Sequence, residues 1–172
     1  MRRQLLIAGG SANRRCWPRR RQTFWIKVYT MKTIFVRDVD QKRDWYIIDA
    51  AGKPLGRVAA KAASVLRGKN KATYTPNQEM GDYVVIINAA QVAVSGNKEN
   101  DHLYRHYTGY VRGLRSYSFK KLIERKPTEP LKLTINGMLP NGRLGRKMLG
   151  NLKIYAGAEH PHGAQSPKPL EV

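Results

Sequence analysis

The sequence predicts a single α/β domain, a three-layer arrangement in which helices flank a mostly parallel central sheet. A length of 172 residues fits about one domain. An apolar strand, an amphipathic helix and a second apolar strand follow one another between residues 45 and 88. The second strand, YVVIIN at 83–88, is almost continuously apolar, which is typical of a parallel strand covered on both faces.

The first half of the domain has the most regular pattern. WYIIDA at 45–50 is rich in β-branched and aromatic residues and predicts a buried strand, followed by a turn at 51–54. Residues 55–67 predict a helix that ends at Gly68, a residue type that is common just after helix C-termini. The apolar side of this helix consists of Leu55, Val58, Ala59, Ala62, Val65 and Leu66.

Shorter elements follow in the middle of the chain. We expect a short strand at 91–96 and a partly exposed extended segment at 103–111. Residues 118–126 predict a helix with Ser118 as its N-cap and apolar residues on one side.

The last third is less regular. Residues 129–139 fit a strand or a helix, because their apolar residues satisfy both periods. A short helix is expected around 144–149 and a final strand at 152–157. Several prolines beyond this strand predict an ordered but irregular tail.

Charge is the strongest functional signal in the composition. The chain has 32 Lys and Arg against 12 Asp and Glu, so its formal net charge is +20. Such an excess is typical of a nucleic-acid binder, because each neutralised phosphate releases condensed counterions. A highly charged domain without a polyanionic partner is the alternative. No apolar run approaches the ~20 residues that span a bilayer, and the single cysteine, Cys16, excludes an intrachain disulfide and a thiolate zinc cluster.

Residues 1–30 differ from the rest, because they carry eight cations and no acid, which leaves 24 cations and 12 acids at 31–172. An Arg-rich, acid-free segment can be a transit peptide. It can also be a basic RNA-binding arm. The third interpretation is translated sequence upstream of a true start at Met31.

The turn and helix at 52–71 form the first candidate surface. A glycine turn at a strand end opens a helix there, so free backbone N–H groups and the helix dipole favour a phosphate. An ordinary strand-to-helix connection with a solvated polar face is the alternative. The run does not match the G-x-x-x-x-G-K-[ST] pattern of a mononucleotide site. Its cations suit a nucleic-acid backbone and are Arg57, Lys61, Arg67, Lys69 and Lys71.

Residues 102–123 form the second candidate surface and contain no acid. Tyrosines alternate there with cations, and such a mixture can stack on unpaired bases and hold phosphates. Individual tyrosines can instead be core or strand residues. The tyrosines are Tyr104, Tyr107, Tyr110 and Tyr117, and the basic residues are Arg105, His106, Arg112 and Arg115.

Residues 136–165 form the third candidate surface, in which cations lie among glycines that permit close backbone approach. The cations predicted to contact phosphate are Arg143, Arg146 and Lys147. His160 and His162 could begin a metal site, but no His, Cys, Asp or Glu cluster completes one, so we expect neither metal nor cofactor. The sequence contains no G-x-S-x-G turn, the pattern that would indicate a nucleophilic serine.

Three segments together resemble one family. GKPLGRVAAKAASVLRGK at 52–69, GDYVVIINAAQVAVSGNK at 81–98 and NGMLPNGRLGRKMLGNLKIYAGAEHPHGAQ at 136–165 are similar to the large-subunit ribosomal protein thirteen family of the bacterial and organellar type. The resemblance runs from about Met31 to Val172. It implies a structural, non-enzymatic constituent of the large ribosomal subunit that binds large-subunit ribosomal RNA and supports subunit assembly and translation. Neighbouring large-subunit ribosomal proteins are the other implied partners, with no membrane and no small-molecule substrate.

The resemblance also has implications for single residues. It implies a helix at 129–139 and places Lys98 of the SGNK turn close to RNA. The terminal HPHGAQSP run implies that His160 and His162 contact RNA or make tertiary hydrogen bonds.

The implied organisation is a basic extension at 1–30 and a ribosomal protein thirteen domain at 31–172. MKTIF and the following KRDWYIIDA are similar to the start of bacterial family members, which favours the upstream-sequence interpretation. The expected location is the cytoplasmic ribosome, or an organellar ribosome if residues 1–30 are a transit peptide.

Two other functions stay open. One is a nucleic-acid-processing enzyme with His160 or His162 as acid or base, against which the missing paired carboxylates and phosphate loop weigh. The other is an extra-ribosomal regulator that binds messenger RNA.

Overall fold

A computed structural model of the chain describes residues 36–37 and 40–172. They form a four-stranded sheet, a separate two-stranded sheet and the helices around them. In chain order the elements are β1 (Trp45–Asp49), α1 (Leu55–Arg67), β2 (Tyr83–Ile87), α2 (Lys98–Asp101), β3 (Leu103–Tyr107), β4 (Leu114–Ser118), α3 (Phe119–Arg125), α4 (Glu129–Met138), α5 (Arg143–Gly150), β5 (Leu152–Ile154) and β6 (Lys168–Pro169). The predicted α/β domain, with a mostly parallel sheet flanked by helices, is confirmed.

The main sheet has the strand order β5-β2-β1-β6, and each of its neighbouring pairs is parallel. The central strands β1 and β2 pair over their whole length, from Trp45↔Tyr83 to Asp49↔Ile87. Helix α1 connects them, as a parallel pair requires a crossover. The predicted strands at 45–50 and 83–88 and the predicted helix at 55–67 are therefore confirmed.

Helix α1 has a defined start and end. It begins after Pro54, whose φ of −62° suits the entry into a helix. It ends at Gly68, whose φ is +80° and whose N–H donates to the carbonyl oxygens of Ser64 and Val65. A Cβ at Gly68 would also lie 2.7 Å from the backbone of Met80. Both the left-handed φ and the close approach therefore require glycine at this position.

One face of the main sheet carries the hydrophobic core. Ile48, Val84 and Ile86 have no solvent exposure, and since side chains alternate along a strand, they lie on the same face. Full burial of each such side chain stabilises the fold by about 1.5–3 kcal/mol. The helices add to this core Val58 and Leu66 of α1, Leu131 and Ile135 of α4, and Met148 of α5.

The opposite face of the sheet is aromatic at one end. The rings of Trp45 and Tyr83, a cross-strand pair, stack with centroids 4.5 Å apart. The ring of His162 lies 4.9 Å from that of Trp45. Among the described residues, α1, α4 and α5 share one core cluster, whereas His162 of the C-terminal segment contacts the face that carries Trp45.

A buried ion pair joins the loop after α1 to the start of the sheet. Lys71 Nζ lies 2.6 Å from Asp82 Oδ1, and the Asp82 side chain is only 5% exposed. The same carboxylate oxygen accepts a hydrogen bond from the Asp44 backbone N–H at 3.0 Å. Lys71 Nζ also donates to the Lys42 carbonyl oxygen at 2.8 Å. These bonds connect the residues that precede β1 and β2.

The strand expected at 91–96 is wrong. After β2, Asn88 adopts a left-handed conformation with φ of +57°, and a single 3₁₀ turn spans Ala89–Gln91. Only Ala93 makes an isolated bridge, to Pro54. The segment beyond Asn88 instead bonds to the turn before α1, where the Ala93 N–H donates to the Lys53 carbonyl oxygen at 3.1 Å and the Leu55 N–H donates to the Ala93 carbonyl oxygen at 3.0 Å.

The extended segment expected at 103–111 is a strand only as far as Tyr107, and its partner β4 was not predicted. The two strands form an antiparallel hairpin outside the main sheet. Most of their residues are exposed, so no alternation of buried and exposed positions marks them in the sequence. The helix expected at 118–126 is confirmed as α3, although Ser118 makes no side-chain capping bond.

The helices expected at 129–139 and around 144–149 are confirmed as α4 and α5. The strand expected at 152–157 is present as β5 but is not the final one. Tyr155 donates to the Ile86 carbonyl oxygen, and β5 ends before it. In the tail, β6 pairs with Tyr46 and Ile47 of β1.

Candidate nucleic-acid interface

The β3–β4 hairpin presents two different sides. Its register pairs Tyr104 with Tyr117 and His106 with Arg115, so these four side chains share one side. The other side carries exposed apolar residues, among them Tyr107, which is 60% exposed. Arg112 lies at the hairpin tip with φ of +62° and is exposed.

The tyrosines of the hairpin separate into packing and exposed residues. Tyr104 is half-buried, its ring packs edge-on against His102 at 4.7 Å, and burial raises the pKa of its hydroxyl. Tyr107 and Tyr110 are exposed. Tyr104 is therefore a packing residue, the alternative that the sequence left open, whereas Tyr107 and Tyr110 can contact a partner.

A groove of about 460 Å³ lies between the hairpin and helices α3 and α4. Three residues predicted to bind RNA line it, Arg105, His106 and Arg115. Arg125 and Lys126 line the same groove and were not predicted. Both residues are cations at the end of the helix predicted at 118–126, and this charge is visible in the sequence. Their position beside the hairpin is decided by the fold and is not.

The first predicted surface is distributed along α1 and the loop after it. Arg57, Lys61 and Lys69 are exposed. Arg67 is half-buried, and its guanidinium lies 5.9 Å from the centroid of the Tyr74 ring, within the range of a cation–π contact. At the helix start, the Leu55 N–H already donates to the Ala93 carbonyl oxygen at 3.0 Å, so this donor is not free for a phosphate.

Two other predicted cations differ in their surroundings. Lys71 is half-buried in the ion pair with Asp82, so part of its charge is neutralised inside the protein. Lys98 is exposed at the first position of α2, a helix with no buried residue.

Helix α5 holds the third group of cations. It begins after Gly142, whose φ is +110°. Gly145 and Met148 are buried on its inner side, and a Cβ at Gly145 would clash with the Pro140 carbonyl oxygen. Close packing on this side leaves Arg143, Arg146 and Lys147 exposed on the outer one.

His160 and His162 make tertiary contacts. His162 Nε2 is 2.9 Å from the Tyr155 hydroxyl oxygen, and the His162 backbone N–H donates to His160 Nδ1 at 3.2 Å. Among the residues that the structure describes, no group of three or more His, Cys, Asp or Glu could hold a metal ion.

The fold and these surfaces define a class of protein: a strongly basic α/β domain whose cations face solvent on several separate elements. Such an arrangement suits the backbone of a nucleic acid better than a small enclosed ligand. Residues 43–161 match the family model described as Ribosomal protein L13. The chain belongs to this family.

The relatives cover most of the chain. A protein of Treponema denticola is 61% identical over 142 residues, which are 83% of this chain and all of that protein. Proteins of Hydrogenovibrio crunogenus and Vibrio cholerae are 56% and 53% identical over the same shares. Each is named large ribosomal subunit protein uL13. In the described part of the chain, no helix has the length and apolar character to cross a membrane.

Proposed function

We propose that this chain is a structural constituent of the large ribosomal subunit, which binds large-subunit ribosomal RNA and carries out no catalysis. The observation that supports this function best is the exposure of cations on three surfaces of a ribosomal protein L13 family member. The names of the relatives point to the same subunit.

RNA binding by this chain rests on charge neutralisation and shape. Exposed Lys and Arg side chains contact phosphates and fix the position of the protein, and few base edges need to be read. Contacts to neighbouring ribosomal proteins use the remaining surface. The proposed RNA-contacting residues are Arg57, Lys61, Arg67, Lys69, Lys71, Lys98, Arg105, His106, Arg112, Arg115, Arg143, Arg146, Lys147, His160 and His162.

The affinity of the isolated protein for a large-subunit RNA fragment is expected to fall steeply with salt. If roughly six to ten phosphates are contacted, the plot of log affinity against log salt has a slope between about −5 and −9. Filter binding or fluorescence anisotropy between 0.05 and 0.2 M salt measures this slope, a range chosen because typical interfaces lose about 10³–10⁵ in affinity across it. A nearly flat plot would rule out the phosphate-based mechanism.

Removal of residues 1–30 is expected to leave folding and incorporation into the subunit intact. The family match begins only at residue 43, and β1 at Trp45. Thermal unfolding, together with co-sedimentation with large subunits, compares the truncated and full chains. Loss of incorporation in a truncated protein that still folds would instead assign residues 1–30 a role as an RNA-binding arm.

A further inference from the structure

The groove between the β3–β4 hairpin and helices α3 and α4 has the size of a small-ligand site. Its volume of about 460 Å³ lies within the ~300–1,000 Å³ that are common for such sites. The hairpin register directs Arg115 and Tyr117 to the same side as Tyr104, and all three line the groove. The opposite wall includes Arg125, Lys126 and Glu129.

The residues that line the groove carry a net positive charge, which favours an anionic ligand. Four of its lining residues are Lys or Arg, and Glu129 is the only acid among the lining residues that the structure describes. Glu129 lies 3.6 Å from Lys126 Nζ, which offsets this one negative charge. Arg115 and Arg125 therefore leave net positive charge around a concave space. A phosphate group fits this charge, and guanidinium groups can bind its oxygens in pairs.

Tyr117 of the hairpin is held by Arg125 of the opposite wall, and the pair provides an ordered aromatic surface. Arg125 Nη1 donates to the Tyr117 hydroxyl oxygen at 3.1 Å, and its guanidinium carbon lies 5.5 Å from the ring centroid. Hydrogen bonds from Arg115 and Arg125 lower the pKa of the Tyr117 hydroxyl. These contacts order the arginine before any ligand arrives, which reduces the entropy lost on binding. A planar base can stack on an aromatic ring or on a guanidinium plane.

We propose that this groove binds an unpaired nucleotide of the RNA, with its base against Tyr117 and its phosphate on Arg115 and Arg125. This inference rests on the proposed RNA-binding function and assigns it a single-stranded subsite. Bases in a duplex are already stacked inside the helix, so they cannot enter a concave groove and lie against Tyr117. A nucleotide that has left the stack offers both the base face and the phosphate.

The test compares a short oligouridylate with an RNA duplex of the same length, using the full chain. Tyr117→Leu is expected to weaken oligouridylate binding about tenfold, because the base loses its aromatic stacking partner, and to leave duplex binding unchanged. Tyr117→Phe retains the ring and is expected to bind oligouridylate within about twofold of the parent chain. Circular dichroism melting of both variants verifies that they fold.

A matched control is available at Tyr74, which packs beside Arg67 outside the groove. Tyr74→Leu removes an Arg-packed ring outside the groove and should weaken oligouridylate binding much less than Tyr117→Leu does. Ultraviolet cross-linking of oligouridylate to the parent chain needs no variant. Its main cross-linked peptide should contain Tyr117.

Several outcomes overturn the proposal. Equal weakening by Tyr74→Leu shows that stacking is not specific to the groove. Equal loss of single-strand and duplex binding in Tyr117→Leu shows that the groove does not select an unpaired nucleotide. Unchanged oligouridylate binding in Tyr117→Leu overturns it, as do cross-links that lie only elsewhere. The salt slope of the parent chain on a large-subunit RNA fragment separates the two claims, because it stays steep if only the groove assignment fails.

Discussion

Replacing Arg143, Arg146 and Lys147 together by alanine is expected to weaken binding to a large-subunit RNA fragment about a hundredfold at 0.1 M salt, because three released counterions are lost. The slope of log affinity against log salt should become shallower by about three. Thermal unfolding should not change, since the three side chains are exposed on α5 and exposed charges contribute little to stability.

A second triple variant controls for the loss of charge alone. Lys120, Lys121 and Lys132 are also exposed on helices but are not among the proposed RNA contacts. Their joint replacement by alanine should reduce affinity much less than the α5 triple variant. Equal effects of the two triple variants would mean that α5 is not a preferred phosphate site. A triple α5 variant that melts normally and binds RNA as tightly as the parent chain would contradict the assignment of this helix.

Replacing Lys71 by methionine is expected to destabilise the folded chain by about 2–3 kcal/mol, a decrease of about 5–10 °C in the melting temperature. Methionine keeps the apolar stem but leaves the Asp82 carboxylate, 5% exposed, without its counter-charge. Breaking a buried pair costs more than the pair contributes, because the remaining charge stays desolvated. The figure lies below that of a fully buried pair because the Lys71 side chain is 25% exposed.

Two comparisons show whether this loss has the proposed cause. Asp82→Asn in the Lys71→Met background removes the uncompensated charge and should recover part of the stability, since the amide oxygen can still accept from the Asp44 N–H. Lys69→Met, at an exposed neighbour, should leave the melting temperature unchanged and make the RNA salt slope shallower. If Lys71→Met melts like the parent chain and only flattens the salt slope, Lys71 acts on RNA and its ion pair is dispensable.

The sequence pattern predicts those elements whose signal lies within a short run of residues. The apolar stripe of α1, its end at Gly68 and the continuous apolar run of β2 each lie within a few neighbouring residues, and the structure confirms them. Strand β6 carries no such signal, because Lys168 and Pro169 become a strand only by pairing with Tyr46 and Ile47. Pairing between distant segments is decided by tertiary packing, which a residue window does not contain.

The same limit applies to the candidate site. The sequence identifies cations but not which of them already have partners. Lys71 reads as a free cation until the fold brings Asp82 to within 2.6 Å. Conversely, the sequence shows Arg125 only as a cation at a helix end, whereas in the fold it donates a hydrogen bond to Tyr117 of the hairpin. Arg143, Arg146 and Lys147 are exposed because buried Gly145 and Met148 orient α5, and their contact with phosphate stays a prediction.

The short outer strands of the main sheet limit self-association of the unbound chain. An edge strand offers unpaired backbone groups to another chain, and long apolar edges promote aggregation. Here β6 has two residues, of which Pro169 has no N–H to donate, and β5 has three, of which Lys153 is exposed. Mutual repulsion between copies that each carry a formal charge of +20 acts in the same direction. Both features therefore disfavour edge-to-edge pairing of the sheets between copies that are not bound to RNA.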